Sequence, residues 1–197
     1  PERTFVLVTV IAASLAAYFF LSLHFFPMVY NSHATFSKPI PFISNVTLSE
    51  SEVHIGKQFE ISVIGTNKGD PADTQIISIS FPNLTSMKND NVKIIDDNFT
   101  QIPLRIAQGD NIGSSYMGLA ETTIAKYPSI EFYSRPWQTG AAYHAQLQIT
   151  PPSIGIFIVL VKMVALPHTD DSSHYPQMGL KDYQQEFVES HKVKVKS

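Results

Sequence analysis

The chain divides into an apolar head and a longer region in which polar and apolar residues alternate. Residues 4–26 are apolar almost throughout, and no Asp, Glu, Lys or Arg occurs from Thr4 to Ser37. As a helix at ~1.5 Å per residue, residues 4–26 would be about 35 Å long, and a hydrocarbon core is ~30 Å thick. The pattern therefore predicts a single-pass transmembrane helix within an anchor at residues 1–30.

The charges beside this head predict its orientation. Arg3 is the sole cation before the apolar run, so the positive-inside rule places the N-terminus in the cytoplasm and the body outside, with membrane lipid as one partner. A cleaved signal peptide is an alternative, but its apolar region is normally 7–15 residues long. A pilin-type helix in a filament core is another, although Glu2 and Pro27 fit it poorly.

After a tether at residues 31–41, the hydrophobic period changes to two. Alternating segments at residues 42–48, 58–65, 74–81 and 143–149 are typical of strands, and Gly-, Pro- and Asn-rich turns separate them. This pattern predicts an antiparallel Ig-like β-sandwich over residues 42–197 and a mainly β fold. Because such a unit needs only ~100 residues, residues 83–142 are interpreted as an elaborated insertion.

Several positions in this region match a known pattern. Gly56 precedes the second strand, Asn67-Lys68-Gly69 follows that strand, and residues 152–157 run from a proline through a glycine to an aromatic residue. In these features the chain resembles the Ig-like, cell-adhesion-related (CARDB-like) domains of prokaryotic surface proteins, and its composition looks archaeal. The resemblance covers residues 42–82 and 143–166. It implies a sandwich and no shared chemistry.

Composition excludes several kinds of site. The chain has no cysteine, which rules out disulfides, thiolate-bound zinc, iron–sulfur clusters and blue copper. A net charge of -3 with 16% charged residues argues against nucleic acid as a partner. The common nucleophile and phosphate-loop motifs do not occur in the sequence. We therefore assign no catalytic residue and expect a non-enzymatic chain.

One polar segment has the composition of a metal site. It combines two imidazoles and two carboxylates, which suit Cu(II), Zn or Ni: His168, Asp170, Asp171 and His174. We expect no cofactor, and copper is the candidate metal for this set. The alternative is a solvated loop, because prolines bound the segment on both sides.

Three N-x-S/T sequences occur in the predicted external body. They begin at Asn45, Asn83 and Asn98, and each is a candidate glycosylation site. The alternative interpretation is that these asparagines are ordinary turn residues.

One segment is apolar on both faces. Residues 156–165 read IFIVLVKMVA, whereas a strand with one wet face should alternate. Its second face needs a cover, either from residues 83–142 or from another subunit. With the lone tryptophan added, the predicted partner interface is Phe157, Val159, Val161, Met163 and Trp137. Residues 191–196 alternate Lys or His with Val, as in a lysine-protected edge strand.

Together these features predict a non-catalytic structural or accessory subunit of a membrane or cell-surface protein assembly, with other subunits as partners. One alternative is a copper-handling subunit of a membrane oxidase of the ammonia or methane monooxygenase type. A second alternative is a pilin-like filament subunit.

Overall fold

The N-terminal unit does not support the predicted anchor. A computed structural model describes residues 9, 11–18, 37–87, 91–113, 122–167 and 171–197, and the chain divides into two compact units, Pro1–Phe36 and Ser37–Ser197. Within the described residues, no helix has both the length and the apolarity needed to cross a membrane.

The correction rests on the length of helix within the described residues. The described helical stretch at residues 11–18 spans about 12 Å at ~1.5 Å per residue, less than half of a ~30 Å hydrocarbon core. The predicted single-pass transmembrane helix is therefore wrong, as is the membrane localisation derived from it. The other positions of the predicted anchor and tether up to residue 36 lie outside the described residues.

The second unit is built from strands. Their bounds are β1 (Pro41–Leu48), β2 (Glu52–His54), β3 (Phe59–Asn67), β4 (Thr74–Ser80), β5 (Val92–Asp97), β6 (Leu104–Ile106), β7 (Asn111–Gly113), β8 (Thr122–Ile124), β9 (Ser129–Ser134), β10 (Ala142–Ile149), β11 (Gly155–Leu166), β12 (His174–Tyr175), β13 (Leu180–Lys181) and β14 (Phe187–Lys196). A short 3-10 helix, Asp171–Ser173, precedes β12.

Two main sheets pack face to face. The smaller sheet has the order β1-β3-β10-β5, and the larger has the order β13-β14-β11-β4-β9-β6, with β12 beside β11 and β2 beside β14. The β2–β14 pairing is parallel and the others are antiparallel. Phe59 of β3 and Phe157 of β11 meet edge to face between the sheets, with ring centroids 5.8 Å apart. The predicted antiparallel β-sandwich is confirmed.

Period-two patterning explains this core. Along β3, buried and half-buried residues alternate over the whole strand, because successive side chains of a strand point to opposite faces. The buried positions Phe59, Ile61 and Val63 join the same core as Leu147 of β10. Residues 83–142 are also part of the sandwich, since they supply β5 to the small sheet and β6 and β9 to the large one.

The predicted partner interface lies inside this core. Trp137, Val159, Val161 and Met163 are fully buried, and Phe157 is 2% exposed. These residues already contact the chain's own opposite sheet. Their assignment to a surface for another subunit is therefore wrong, because no surface remains for a partner to contact.

The predicted lysine-protected edge strand also differs from the structure. β14 has β11 on one side, and on its other side β2 pairs with Lys194–Lys196. Glu52 of β2 forms ion pairs with Lys194 and Lys196. These lysines therefore partly serve as partners for a neighbouring strand.

Asn67 holds the turn between β3 and β4 through its buried side chain. Its Oδ1 accepts hydrogen bonds from the backbone N–H groups of Ile40 (2.9 Å) and Gly69 (3.0 Å). Its Nδ2 donates to the carbonyls of Asp70 (2.6 Å) and Trp137 (3.4 Å). One side-chain amide thus joins the segment before β1, the β3–β4 turn and the segment before β10.

We expect Gly69→Ala to destabilise the sandwich by about 1–3 kcal/mol, the usual cost of overpacking. A Cβ at this position would lie 2.6 Å from the backbone nitrogen of Ile40 and would also collide with the carbonyl oxygen of Lys38. Backbone atoms cannot move aside as a flexible side chain can. Urea denaturation measures the change, and the exposed Lys57→Ala is the control, with an expected effect within about 0.5 kcal/mol. Equal stability of the two variants would contradict the prediction.

Candidate functional site

The outer face of the large sheet is covered by the chain itself. In the middle of this face lie Leu160, Lys162 and Val164 of β11, none of them more than 8% exposed. The Tyr127 ring meets the Tyr183 ring edge to face at 4.9 Å, so the segments around residues 127 and 183 touch above the sheet. We call this region, with the two segments over it, the covered face.

A buried ion pair lies at the centre of the covered face. Lys162 Nζ donates to Asp182 Oδ2 at 2.7 Å and to Gln184 Oε1 at 2.8 Å. The two charged side chains are only 10% and 4% exposed. Burial of both charges makes their attraction strong and their desolvation costly. The pair fastens the segment before β14 onto the middle of β11.

The turn that carries Asp182 is fixed by its own backbone. Asp182 N donates to the Glu186 carbonyl at 2.9 Å, and Gln185 takes a positive φ of 66°. Asp182 Oδ1 accepts from the N–H groups of Gln184 (2.8 Å) and Glu186 (3.1 Å). An aspartate suits such a turn because its short side chain bonds backbone groups two residues on. Both carboxylate oxygens of Asp182 therefore have assigned partners.

Further titratable groups belong to the covered face. Ser78 of β4 pairs with Lys162 on one side and with Glu131 of β9 on the other, so the three form a row across the sheet. Burial raises the pKa of Glu131, and the positive charge of Lys162 opposes that shift. The pKa values of Tyr127 and Tyr183 are also raised. Burial is the larger cause for both, and the negative charge of Asp182 is the next. Groups with shifted pKa values concentrate at functional sites, and also in structural ion-pair networks.

We expect Glu131→Gln to stabilise the protein more at pH 7 than at pH 4. A carboxyl whose pKa is raised in the folded state contributes stability that is fully present when the pH is below its pKa in the unfolded state. That contribution is lost as the pH rises from 4.5, the ordinary pKa of a glutamate carboxyl, through the raised pKa of the folded state. Glutamine does not titrate, so the stability of the wild type relative to the variant should fall over this range. Urea unfolding at a series of pH values measures it, and a pH-independent difference would contradict the assignment.

A cavity of about 400 Å³ opens beside Glu131. It is lined by Leu104, Arg105, Ile106, Asp110, Asn111, Ile112 and Glu131. Arg105 is already engaged, since both its terminal nitrogens donate to the Val92 carbonyl at 3.3 Å. Asp110 is likewise engaged by the Ala107 N–H at 2.7 Å. The cavity is within the size range of small-molecule pockets, with its polar groups largely committed to the fold.

The predicted metal ligands are only partly described. His168 and Asp170 lie outside the described residues, and Asp171 belongs to the short 3-10 helix. His174 is buried, with its Nε2 2.6 Å from Glu186 Oε2. Among the residues that the structure describes, no group of three His, Asp or Glu side chains is placed to hold a metal ion. The copper site therefore stays a prediction.

The three candidate glycosylation asparagines are exposed. Asn45 lies at the β-bulge of β1. Asn83 Oδ1 accepts from the Ile158 N–H and Asn98 Oδ1 from the His144 N–H, each at 2.7 Å. These two side chains hydrogen-bond to the backbone of neighbouring strands, and their modification stays a prediction.

Sequence reasoning missed Asp182. The available signal was Lys162 itself, a lone cation within a strand apolar on both faces. A buried charge needs a paired and hydrogen-bonded partner, so a carboxylate had to lie above this strand. The sequence does not say which acidic residue it is, because the partner comes from a loop 20 residues away.

Comparison with known proteins gives likeness of fold only. No family model matches the chain, and no curated protein matches it. Among solved structures, the CARDB domain of a Pyrococcus furiosus protein in complex with di-metal ions shares 12% identity at a TM-score of 0.38, over 83% of this chain and 94% of that one. A cohesin module of a Clostridium perfringens family 33 glycoside hydrolase shares 8% sequence identity at a TM-score of 0.34. This match covers 81% of this chain and 97% of the module.

A β-glucosidase from Erythrobacter marinus is also similar, with 7% identity and a TM-score of 0.38. The match covers 80% of this chain and only 15% of the glucosidase. At these scores the likenesses carry no argument about activity or ligands. The β-sandwich is confirmed by the strand order and the shared core of its two sheets, while its Ig-like type and an archaeal source stay predictions.

Proposed function

We propose that the chain is a non-catalytic accessory subunit of a protein assembly and that it binds a partner protein through the outer face of its small sheet. The observation that carries this proposal is the difference between its two outer faces. The centre of the large sheet's outer face is covered by the chain's own segments around residues 127 and 183. The corresponding side of the small sheet, which we call the open face, presents exposed and half-exposed polar side chains.

The open face is polar and already ordered. On β10, His144, Gln146 and Gln148 alternate with buried residues, so they share this face. His144 Nε2 lies 2.9 Å from Asp96 Oδ2 on β5. Gln146 Nε2 donates to Glu60 Oε2 on β3 at 2.8 Å. Side chains held in place in the free protein lose less entropy on binding, which favours a specific contact.

The size of the open face sets the kind of contact. Four strands spaced ~4.8 Å apart, each about eight residues long at ~3.4 Å per residue, give a face of roughly 500 Å². A standard interface buries ~800 Å² on each partner. The partner should therefore also contact the loops beside the sheet, and a weaker complex would form through the sheet alone.

Lysine-directed cross-linking in native extracts tests this proposal. Lys93 lies beside Gln148 on the open face, and Lys192 lies on β14 of the large sheet, beside Ile158. Both lysines are exposed, so they report the two faces equally well. We expect cross-links to the partner at Lys93 and not at Lys192. Equal cross-linking at the two lysines would overturn the proposal.

Matched variants sharpen the same test. Gln148→Arg adds a bulky cation to the open face, whereas Ser190→Arg adds the same group to an exposed position on β14. Only the first should reduce the yield of cross-linked complex. Equal loss from both variants would show that the open face is not the contact.

The two alternative functions depend on features that lie partly outside the described residues. The copper-handling subunit needs His168 and Asp170, and the filament subunit needs the apolar N-terminal region. Both stay predictions.

A further inference from the structure

The buried pair at the centre of the covered face has the geometry of a reacting pair. An amine nitrogen and a carboxylate oxygen lie 2.7 Å apart, with side chains 10% and 4% exposed. We propose that Lys162 Nζ and Asp182 Cγ join in an intramolecular amide bond, which covalently ties β11 to the turn before β14. This inference is independent of the proposed partner binding.

The surroundings of Asp182 favour attack at its carboxyl carbon. Oδ1 accepts two backbone N–H groups, from Gln184 at 2.8 Å and Glu186 at 3.1 Å. When an amine adds to Cγ, negative charge develops on one carboxyl oxygen. Two fixed backbone donors stabilise such a charge, as in the oxyanion holes of acyl-transfer enzymes. Oδ1 is thus the oxygen that stays, and Oδ2, which faces Nζ, is the oxygen that leaves.

The nucleophile is held by a second acceptor. Gln184 Oε1 accepts a hydrogen bond from Lys162 Nζ at 2.8 Å. With one N–H directed to Gln184 and another to Asp182, the nitrogen is held against the carboxyl group. Fixed proximity of this kind replaces a bimolecular encounter and lowers the entropic barrier.

The reaction balances without any other reactant. The Lys162 ammonium first transfers a proton to Oδ2, which leaves a neutral amine and a neutral carboxylic acid. The nitrogen lone pair then forms the N–Cγ bond. A second proton passes from nitrogen to the Oδ2 hydroxyl, the Cγ–Oδ2 bond breaks, and one water leaves. Both protons come from Nζ, and nothing is oxidised or reduced.

Burial gives the reaction a driving force. Two charges held away from water carry a desolvation penalty of several kcal/mol each. The amide is neutral, so its formation removes both charges from the interior. The pair of Lys196 and Glu52 lies at the surface, with side chains 44% and 42% exposed, so its desolvation penalty is much smaller. The chain therefore contains a surface lysine–carboxylate pair for comparison, which we expect not to react.

Intact mass spectrometry of the purified full chain tests the proposal. We expect the folded protein to weigh about 18 Da less than its sequence, the mass of one water. A protease digest should contain one branched peptide that joins the segments around residues 162 and 182. The full sequence mass, unchanged after prolonged incubation of the folded protein, would overturn the proposal.

Two variants separate this bond from other losses of water. Lys162→Arg keeps a cation, but its guanidinium is too weak a nucleophile, so the variant should show the full mass. An aspartate can also lose water by closing onto its own backbone, and that loss would persist in Lys162→Arg. Persistence of the loss would therefore overturn the proposal. Lys196→Arg should keep the loss and the branched peptide, and their absence from this control would contradict the assignment to Lys162.

Discussion

Replacing Trp137 with alanine should lower the free energy of unfolding by about 3–5 kcal/mol, the usual cost of truncating a buried aromatic residue. Trp137 is fully buried, and its ring packs edge to face on Phe99 and Tyr143, with centroids 5.7 Å and 4.5 Å away. Its indole nitrogen also donates to the Ala141 carbonyl at 2.9 Å. Truncation would leave a cavity and an unpaired carbonyl.

Two substitutions calibrate this measurement. Trp137→Phe keeps an aromatic ring but loses the indole hydrogen bond and part of the volume, so its cost should lie clearly below that of alanine. Ile102→Ala, at a side chain 87% exposed, should change stability by no more than about 0.5 kcal/mol. Urea or thermal unfolding ranks the three variants. A Trp137→Ala effect as small as that of Ile102→Ala would show that residue 137 is not in the core.

Lys162→Met should lower the free energy of unfolding by about 3–5 kcal/mol, as much as Trp137→Ala. The methionine fits an apolar strand, so the cost does not come from the substituted side chain. It comes from Asp182, which would remain buried at 9% exposure with no cation to balance its charge. The expected sign holds whether the wild-type pair is ionic or covalent, because the carboxylate loses its partner in both cases.

The double variant Lys162→Met with Asp182→Asn tests this explanation. Asparagine keeps an oxygen for the backbone donors of residues 184 and 186 and removes the uncompensated charge. We expect the double variant to recover much of the stability lost by Lys162→Met, since removing both charges of a buried pair costs far less than removing one. Additive losses would show that charge burial is not the cause.

Three strands of the small sheet, β1, β3 and β10, and β4 of the large sheet could be predicted from hydrophobic period alone. The predicted strand at residues 74–81 is observed as β4 (Thr74–Ser80), and that at residues 143–149 as β10 (Ala142–Ile149). These segments alternate, or are bounded by clear turn residues, so local sequence is enough. Strands of three residues such as β6 (Leu104–Ile106) are too short to show a period. The interpretation of residues 83–142 as an insertion depends on domain size instead, because an Ig-like unit needs only ~100 residues.

The errors have a common physical origin. An apolar run fixes how hydrophobic a segment is, but not how long its helix is, and the anchor prediction depended on length. The apolar strand β11 required a cover on its second face, but the sequence does not show where that cover comes from. In the structure the cover comes from the chain itself, from the segment around Tyr127 within residues 83–142 and from the later turn that carries Asp182. Contacts so distant along the chain leave no local pattern.

The buried amide of Asn67 has a consequence for chemical ageing. Deamidation would exchange its Nδ2 for an oxygen and leave the rest of the side chain unchanged. The two carbonyls that now accept from Nδ2, those of Asp70 and Trp137, would then face a carboxylate oxygen. Two attractive contacts would become two repulsive ones beside Trp137, the largest fully buried side chain among the described residues. The lifetime of the fold in storage would thus depend on the hydrolysis of a single side-chain amide.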